Sequence, residues 1–345
     1  MMMGQRRTRS ISGVFAGLLA GVFMAGAAAA QTVSYEGKTL RMIIPSGAGG
    51  GYDTYARVLS AHLAKHLPGN PTIVNQNMPG ASGMVGTNWA ASDAAPRDGT
   101  VIVATYNALL LEPLFGNPLA KYDPRKFEWI GSIGKQQQIC VTWHTSPIKT
   151  MEQAKEREVV VSATGATGNA ATMPKMLNAM LGTKFKVVTG YSTAESRLAV
   201  ERGEAEGICG LSYSTLKASN PDWIQNKRIN VLVQTGTKPQ EGLEKVPLLM
   251  NLVSDADLKK VLGLLAFQGE LGRPFLMPPG TAKEYVAAVR KAFDEMMKDP
   301  AFLADAEKSR LEVDPVSGAE MDKMIKDAFE TPKPLVEEAA KYQGD

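Results

Sequence analysis

Apolar and polar positions along this chain switch between strand-like runs and helical spacing, and each switch marks an element. Leu40 to Pro45 is a short apolar run of strand length that leads into Ser46-Gly47-Ala48-Gly49-Gly50-Gly51. Beyond that loop Ala56, Leu59, Leu63 and Leu67 recur on one helical face, and Pro68-Gly69 stops the helix. Thr72–Val74 predicts a second strand, Asn77–Gly83 a turn, Met84 to about Ser92 a helix, and Thr100–Thr105 a third strand entered through Asp98-Gly99. Strand, helix, strand, helix, strand at this pitch predicts right-handed crossovers and a parallel sheet.

The pattern then restarts. Val159–Ser162 reads as a strand running into the small-residue loop Ala163–Asn169, followed by a helix to about Leu181. A strand at Phe185–Val188, a helix near Thr193–Arg202, and strands at Gly207–Leu211 and Ile229–Gln234 complete this part. The tail reads as helical, with Thr281/Glu284 and Ser317/Glu320 spaced as capping boxes. The fold class is therefore α/β, in two units that each open with strand, glycine-rich loop and helix, although no sequence repeat links them. Ligands of open α/β sheets bind beyond the carboxyl ends of the strands, so two facing units would form a cleft between their loops.

Charge changes the picture at the N-terminus. The 345 residues carry a formal charge of +3, and Arg6, Arg7 and Arg9 precede any acidic residue or lysine. An apolar, Gly/Ala-rich run from Ile11 to Ala27 follows and closes on Ala28-Ala29-Ala30, the layout of a secretory signal peptide cut after Ala30. A membrane anchor fits less well, because the run is weakly hydrophobic and ends in an A-x-A site. A twin-arginine route is weaker too, since no apolar residues follow the arginine pair directly. Removing the segment leaves 315 residues with no formal net charge, which argues against a nucleic-acid or acidic-membrane partner. The expected product is exported and soluble. Cys140 and Cys209 both lie in strand-like runs, so one disulfide across neighbouring strands and two buried thiols both stand open. With no C-x-x-C and only three histidines, no metal site is expected.

Candidate chemistry concentrates in Ser46–Asp53. Its glycines leave backbone N–H groups uncovered just before a helix N-terminus, a combination that binds carboxylate, phosphate or sulfate without a basic side chain. A plain strand-to-helix turn is the competing explanation. The dinucleotide pattern fails at Tyr52, and the P-loop Gly-Lys-Ser/Thr is missing. The loop Ala163–Asn169 repeats the layout and adds the hydroxyls of Thr164 and Thr167 and the amide of Asn169. His62 and His66, four apart, are expected on a solvated helix face, and Glu204/Glu206 as surface charge. His144 has no nucleophile pattern beside it. No reaction centre or cofactor motif emerges.

Taken in order, these segments resemble the periplasmic solute receptors of tripartite tricarboxylate transporters, the Bug-type receptors. Pro45–Arg57 is similar to their opening P-x-G-x-G-G-x-D-x-x-A-R, and Asn77–Gly83 to their N-x-P-G-A-x-G turn. Pro96–Thr100, Tyr122-Asp123-Pro124 with Phe127, Ser162–Asn169 and Arg202-Gly203-Glu204 resemble later family markers. The resemblance implies a two-lobed periplasmic-binding-protein fold of the Venus-flytrap, type II-like kind. Lobe I would span 31–136 and 232–345, and lobe II 137–231, with crossover strands near 134–140 and 228–236. It implies that Ser46, Gly47, Ala48, Gly49 and Gly50 hold a carboxylate from one lobe, with Tyr52 and Asp53 beside them. Gly80, Ala81 and Ser82 would line the same cleft, and Ala163, Thr164, Gly165, Thr167, Gly168 and Asn169 would meet the ligand from the other lobe. Asp53 meets an ammonium in relatives that take amino acids; a helix cap is its alternative role. Met173 stands where His is common in that family. Membrane permease subunits are the implied partners of a monomeric receptor without cofactor. A receptor feeding a sensor kinase and a periplasmic hydrolase are the competing functions.

Overall fold

The computed structural model describes residues 1, 33–49, 51–163, 169–191 and 193–342; apart from Met1, the proposed signal segment lies outside them. The first run of elements is β1 (Thr39–Ile44), α1 (Gly51–His66), β2 (Thr72–Asn77), α2 (Met84–Ala91), β3 (Val101–Ala104) and β4 (Glu128–Ser132). The second is β5 (Gln138–Trp143), α3 (Gln153–Glu156), β6 (Val159–Ser162), α4 (Asn169–Leu181), β7 (Phe185–Val188), α5 (Thr193–Glu201), β8 (Gly207–Ser212), α6 (Tyr213–Ser219), α7 (Pro221–Gln225) and β9 (Ile229–Gln234). The third is α8 (Leu249–Leu252), α9 (Ala256–Glu270), β10 (Pro274–Met277), α10 (Lys283–Met296), α11 (Pro300–Lys308), β11 (Val316–Ser317), α12 (Gly318–Phe329) and α13 (Lys333–Ala340).

Two sheets organise these elements. One has the order β11-β4-β10-β3-β1-β2 and the other β7-β6-β8-β5-β9. As the alternation of strand and helix predicts, β1 is parallel to β2 and β3, and β6 is parallel to β7 and β8. The parallel expectation fails further out. β10 inserts antiparallel between β3 and β4, and β5 lies antiparallel between β8 and β9. The tail is thus not purely helical: it returns β10 and β11 to the first sheet. Val101–Ala104 of β3 is buried throughout, as a strand covered on both faces requires, whereas edge strand β2 alternates between exposed and half-buried positions.

Helices cover both faces of the first sheet. On one side Ala56, Leu59 and Leu63 of α1 pack with Ile44, Phe293 and Phe302. On the other, Val103 and Trp129 meet Phe267 and Met321. The second sheet buries Cys140, Val161, Leu177 and Leu232 on one face and Ile139, Trp143 and Trp223 on the other. Helix α9 serves both sheets: Val261, Leu264 and Phe267 enter the core of the first, and Leu262 that of the second.

Two local expectations need correction. His62 is buried, not solvated: α11 covers that face of α1, with Asp305 and Asp299 accepting His62 and His66 Nε2 contacts at 3.0 Å each. Thr281 does not cap α10. Its hydroxyl donates to the Pro278 carbonyl instead, and Ala282 occupies the cap position. Ser317 does cap α12, accepting from the Glu320 amide. Cys140 on β5 and Cys209 on β8 are joined as a disulfide across adjacent strands. Thiol titration of the denatured mature protein should therefore find no free thiol before reduction and two after it; two at the outset would remove the bridge.

Candidate functional site

Strand direction decides which loops meet. β1, β2 and β3 run parallel, so the segments that follow them emerge at one edge of the sheet. These are the loop from Pro45, the turn from Met78 and the segment Thr105–Asn107. β10 runs the opposite way, so its beginning lies at that same edge, where the Thr105 amide donates to the Pro274 carbonyl. In the second sheet the corresponding edge carries Ala163 after β6, the start of β5 at Gln138 and the end of β9 at Gln234. Three crossing segments join the two edges: 133–137, the stretch after Gln234, and Glu270–Arg273. They are tied together by the buried Glu270 carboxylate, which accepts from Gln137 Nε2 and the Thr237 amide.

The first loop is held by one carboxylate. Asp53, in the first turn of α1, accepts from the Gly49 amide at 2.8 Å, Arg57 Nε at 2.9 Å and Asn77 Nδ2 at 2.8 Å. Asn77 Nδ2 also donates to the Ser46 carbonyl, so the end of β2 steadies the end of β1. The Arg57 guanidinium beside it, with the Gly49 and Asn77 N–H groups, overcomes burial and holds the Asp53 carboxyl down at about 2. Gly49 has φ +83, a left-handed conformation that suits glycine, and turns its amide inward. Gly47, Ala48 and Gly49 are exposed, while Ser46 is buried and its hydroxyl has no partner among the described residues.

The turn beyond β2 seats against this loop. Gly83, at φ +89, has no room for a side chain because Tyr106 and Pro45 lie directly over it. Gly80 and Ala81 are exposed at the tip, and the backbone of Ser82 belongs to a single 3₁₀ turn. Tyr106 in turn meets the ring of Tyr52 edge-on at 4.3 Å. The Tyr52 hydroxyl donates to Asn107 Oδ1 or the Gly272 carbonyl, at 3.0 and 2.9 Å. Burial raises its pKa despite Arg273, so it remains a neutral phenol.

A cavity of about 160 Å³ lies where the crossings meet. Asn107, Gln136, Gln138, Asn169, Thr235 and Gln268 supply its polar lining, and Met173, Leu249 and Leu262 are among its apolar walls. Asn107 Nδ2 donates to the Gln268 carbonyl at 2.6 Å, so the residue under Tyr52 also borders this cavity. No ionised side chain lines it. Of the sequence-predicted ligand residues that the structure describes, only Asn169 does.

The structure separates the remaining expected residues. Ser46, Gly47, Ala48, Gly49, Tyr52, Asp53, Gly80 and Ala81 gather at the first edge. Asp53 serves there as the internal clamp described above, spending its carboxylate on protein groups. Ala163 is fully buried, and its amide donates to the Val188 carbonyl. Gly50, Thr164, Gly165, Thr167 and Gly168 lie outside the described residues. Sequence reasoning missed Asn107, Gln136, Gln268 and Arg273, which depend on the β10 insertion. One signal was present: Arg273 is the only basic residue between Lys260 and Lys283, within a mainly apolar stretch. Among the described residues no cluster of three or more acidic, His or Cys side chains forms a metal site, and no helix is long and apolar enough to cross a membrane.

Comparison with known proteins agrees with this architecture. Residues 55–340 match the model of the tripartite tricarboxylate transporter family receptor, TctC. A UPF0065 protein of Bordetella bronchiseptica is 24% identical over 294 residues, 82% of this chain and 81% of its own length. The crystal structure of a TctC solute binding protein from Polaromonas superposes with a TM-score of 0.70 at 21% identity, over 88% of this chain and 100% of that one. An R. palustris structure with adipate gives a TM-score of 0.58 at 17% identity, over 88% of this chain and 97% of its own.

The clamp makes a quantitative prediction. Asp53→Asn should cost about 1–3 kcal/mol of stability at neutral pH by weakening a charge-assisted network. Because the folded pKa lies below the unfolded one, that contribution is present above pH about 4 and is lost as pH falls toward about 2. Urea midpoints of wild type and variant should converge over this window.

Proposed function

We propose that this chain, which belongs to the tripartite tricarboxylate transporter receptor family, captures a small organic carboxylate between its two sheets and passes it to membrane permease subunits. The family is one of solute receptors rather than enzymes. The observation that carries the ligand class is the exposed Gly47–Gly49 backbone at the start of α1, gathered with the Gly80–Ala81 turn at the carboxyl edge of three parallel strands. Amide donors and a helix N-terminus at such an edge favour an anion. A structural neighbour from R. palustris was solved with adipate, which is in keeping with this chemistry.

In this reading residues 31–136 and 232–345 form lobe I and 137–231 lobe II, closing on the ligand about the crossing segments. Asn169 belongs to the opposing wall. The receptor acts as a monomer in the periplasm after export and cleavage behind Ala30. The spent carboxylate of Asp53 also bears on ligand choice: its three protein donors leave an incoming ammonium poorly served, so a plain acid should bind better than its α-amino counterpart.

Thermal unfolding of residues 31–345 against succinate, malate, adipate, citrate, benzoate and aspartate tests the reading. At about 100-fold excess over Kd a bound acid should raise the melting temperature by about 5 °C. Succinate should exceed aspartate. A flat response to every acid would discard the carboxylate assignment. Protein recovered from the periplasm should begin at Gln31; an intact N-terminus would overturn the cleavage site.

A further inference from the structure

Arg273 has a charge and no counter-ion among the described residues. Only 9% of the residue is exposed, and Nε has no hydrogen-bond partner. Nη1 donates to the neighbouring Gly272 carbonyl, and the neutral Tyr52 and Tyr55 phenols are the other polar groups beside the guanidinium. The acidic groups of the crossing are committed elsewhere: Glu270 to Gln137 and Thr237, and Glu312 toward Lys217. No carboxylate among the described residues forms an ion pair with Arg273. Instead the guanidinium lies 4.5 Å from the Tyr52 ring centre and 4.8 Å from that of Tyr55. Its Nη2 approaches Gly51, the first residue of α1. The side chain is therefore set beneath the N-terminal turn of a 16-residue helix, at the loop that presents Gly47–Gly49.

Such an arrangement is costly when empty. A buried guanidinium loses hydration, and two phenol faces restore only part of it. A helix N-terminus adds a second positive potential to the same place, offset in part by the Asp53 carboxylate in its first turn. The unpartnered Ser46 hydroxyl, also buried at this loop, supplies a further donor without an acceptor. Charge and donors together suit an oxyanion.

We propose that Arg273 is the charged anchor of the ligand site, and that the carboxylate of an organic acid is its counter-ion. This rests on the carboxylate-receptor reading above and assigns that receptor one charged residue in place of purely neutral dipoles. The planar fork of Arg suits a carboxylate better than the point charge of Lys.

Calorimetric titration of residues 31–345 with succinate, malate, adipate, citrate and benzoate, for wild type, Arg273→Gln and Arg273→Lys, tests it. Adipamide serves as the neutral control. For the acid that binds wild type, Arg273→Gln should weaken affinity about 10- to 100-fold, with Arg273→Lys intermediate and adipamide indifferent to both changes. Without ligand, Arg273→Gln should melt no lower than wild type, since it removes an uncompensated buried charge. Unchanged acid affinity in Arg273→Gln would overturn the anchor while leaving the receptor reading intact. So would failure of both variants to fold, which would make Arg273 a structural strut. Wild type that binds none of the acids would instead remove the receptor reading, and the anchor with it.

Discussion

The antiparallel insertion of β10 between β3 and β4 is the constraint on which the site depends. Three parallel strands alone would present loops from the first part of the chain. β10 adds residues more than 160 positions away to that edge, because an antiparallel strand begins where its parallel-running neighbours end. The Thr105–Pro274 hydrogen bond fastens the join, together with the Arg273 amide donating to the Ser132 hydroxyl and the Ile133 amide donating to the Arg273 carbonyl. Tyr52, Asn107, Gly272 and Arg273 then meet within hydrogen-bonding or ring-contact distance.

Electrostatically the edge divides labour between two buried charged residues on either side of the same helical turn. Asp53 is saturated by protein donors and acts inward, shaping the loop. Arg273 faces aromatic rings and has no ion-pair partner among the described residues. A site built with both charges saturated would have only backbone dipoles to offer; one with both unsatisfied would be hard to fold. The observed asymmetry gives the region a fixed shape and a positive bias together, although residues 31–345 as a whole have no formal net charge.

Much of this was legible in the residue pattern. The 3.6-residue spacing of Ala56, Leu59 and Leu63, the apolar run Val101–Val103 and the glycine loop between Ser46 and Gly51 each specify their structure locally. The parallel core strands follow from them, while the meeting of the first loop with the Gly80–Gly83 turn comes from the family resemblance. What local pattern does not encode is long-range pairing. Pro274–Met277 is too short a strand to distinguish from the helical tail around it, and without it Arg273 is an ordinary basic residue. His62 illustrates the same limit on a smaller scale: the face it occupies becomes interior only because α11 folds back over α1. Thr281 has the spacing of a cap, yet the turn at Pro278 claims its hydroxyl first.

Helix α9 deserves separate thought as a mechanical element. It contributes to both hydrophobic cores and leads directly into Glu270, whose carboxylate binds groups from the other two crossings. A rotation of one sheet relative to the other would therefore be unable to bend each crossing independently. The helix would have to travel with one body and slide its remaining apolar face across the other, trading one set of side-chain contacts for another. Interdigitated surfaces of this kind move between a few discrete registers rather than through a continuum. The molecule would then behave less like a door on a free hinge than like a ratchet with a small number of rest positions.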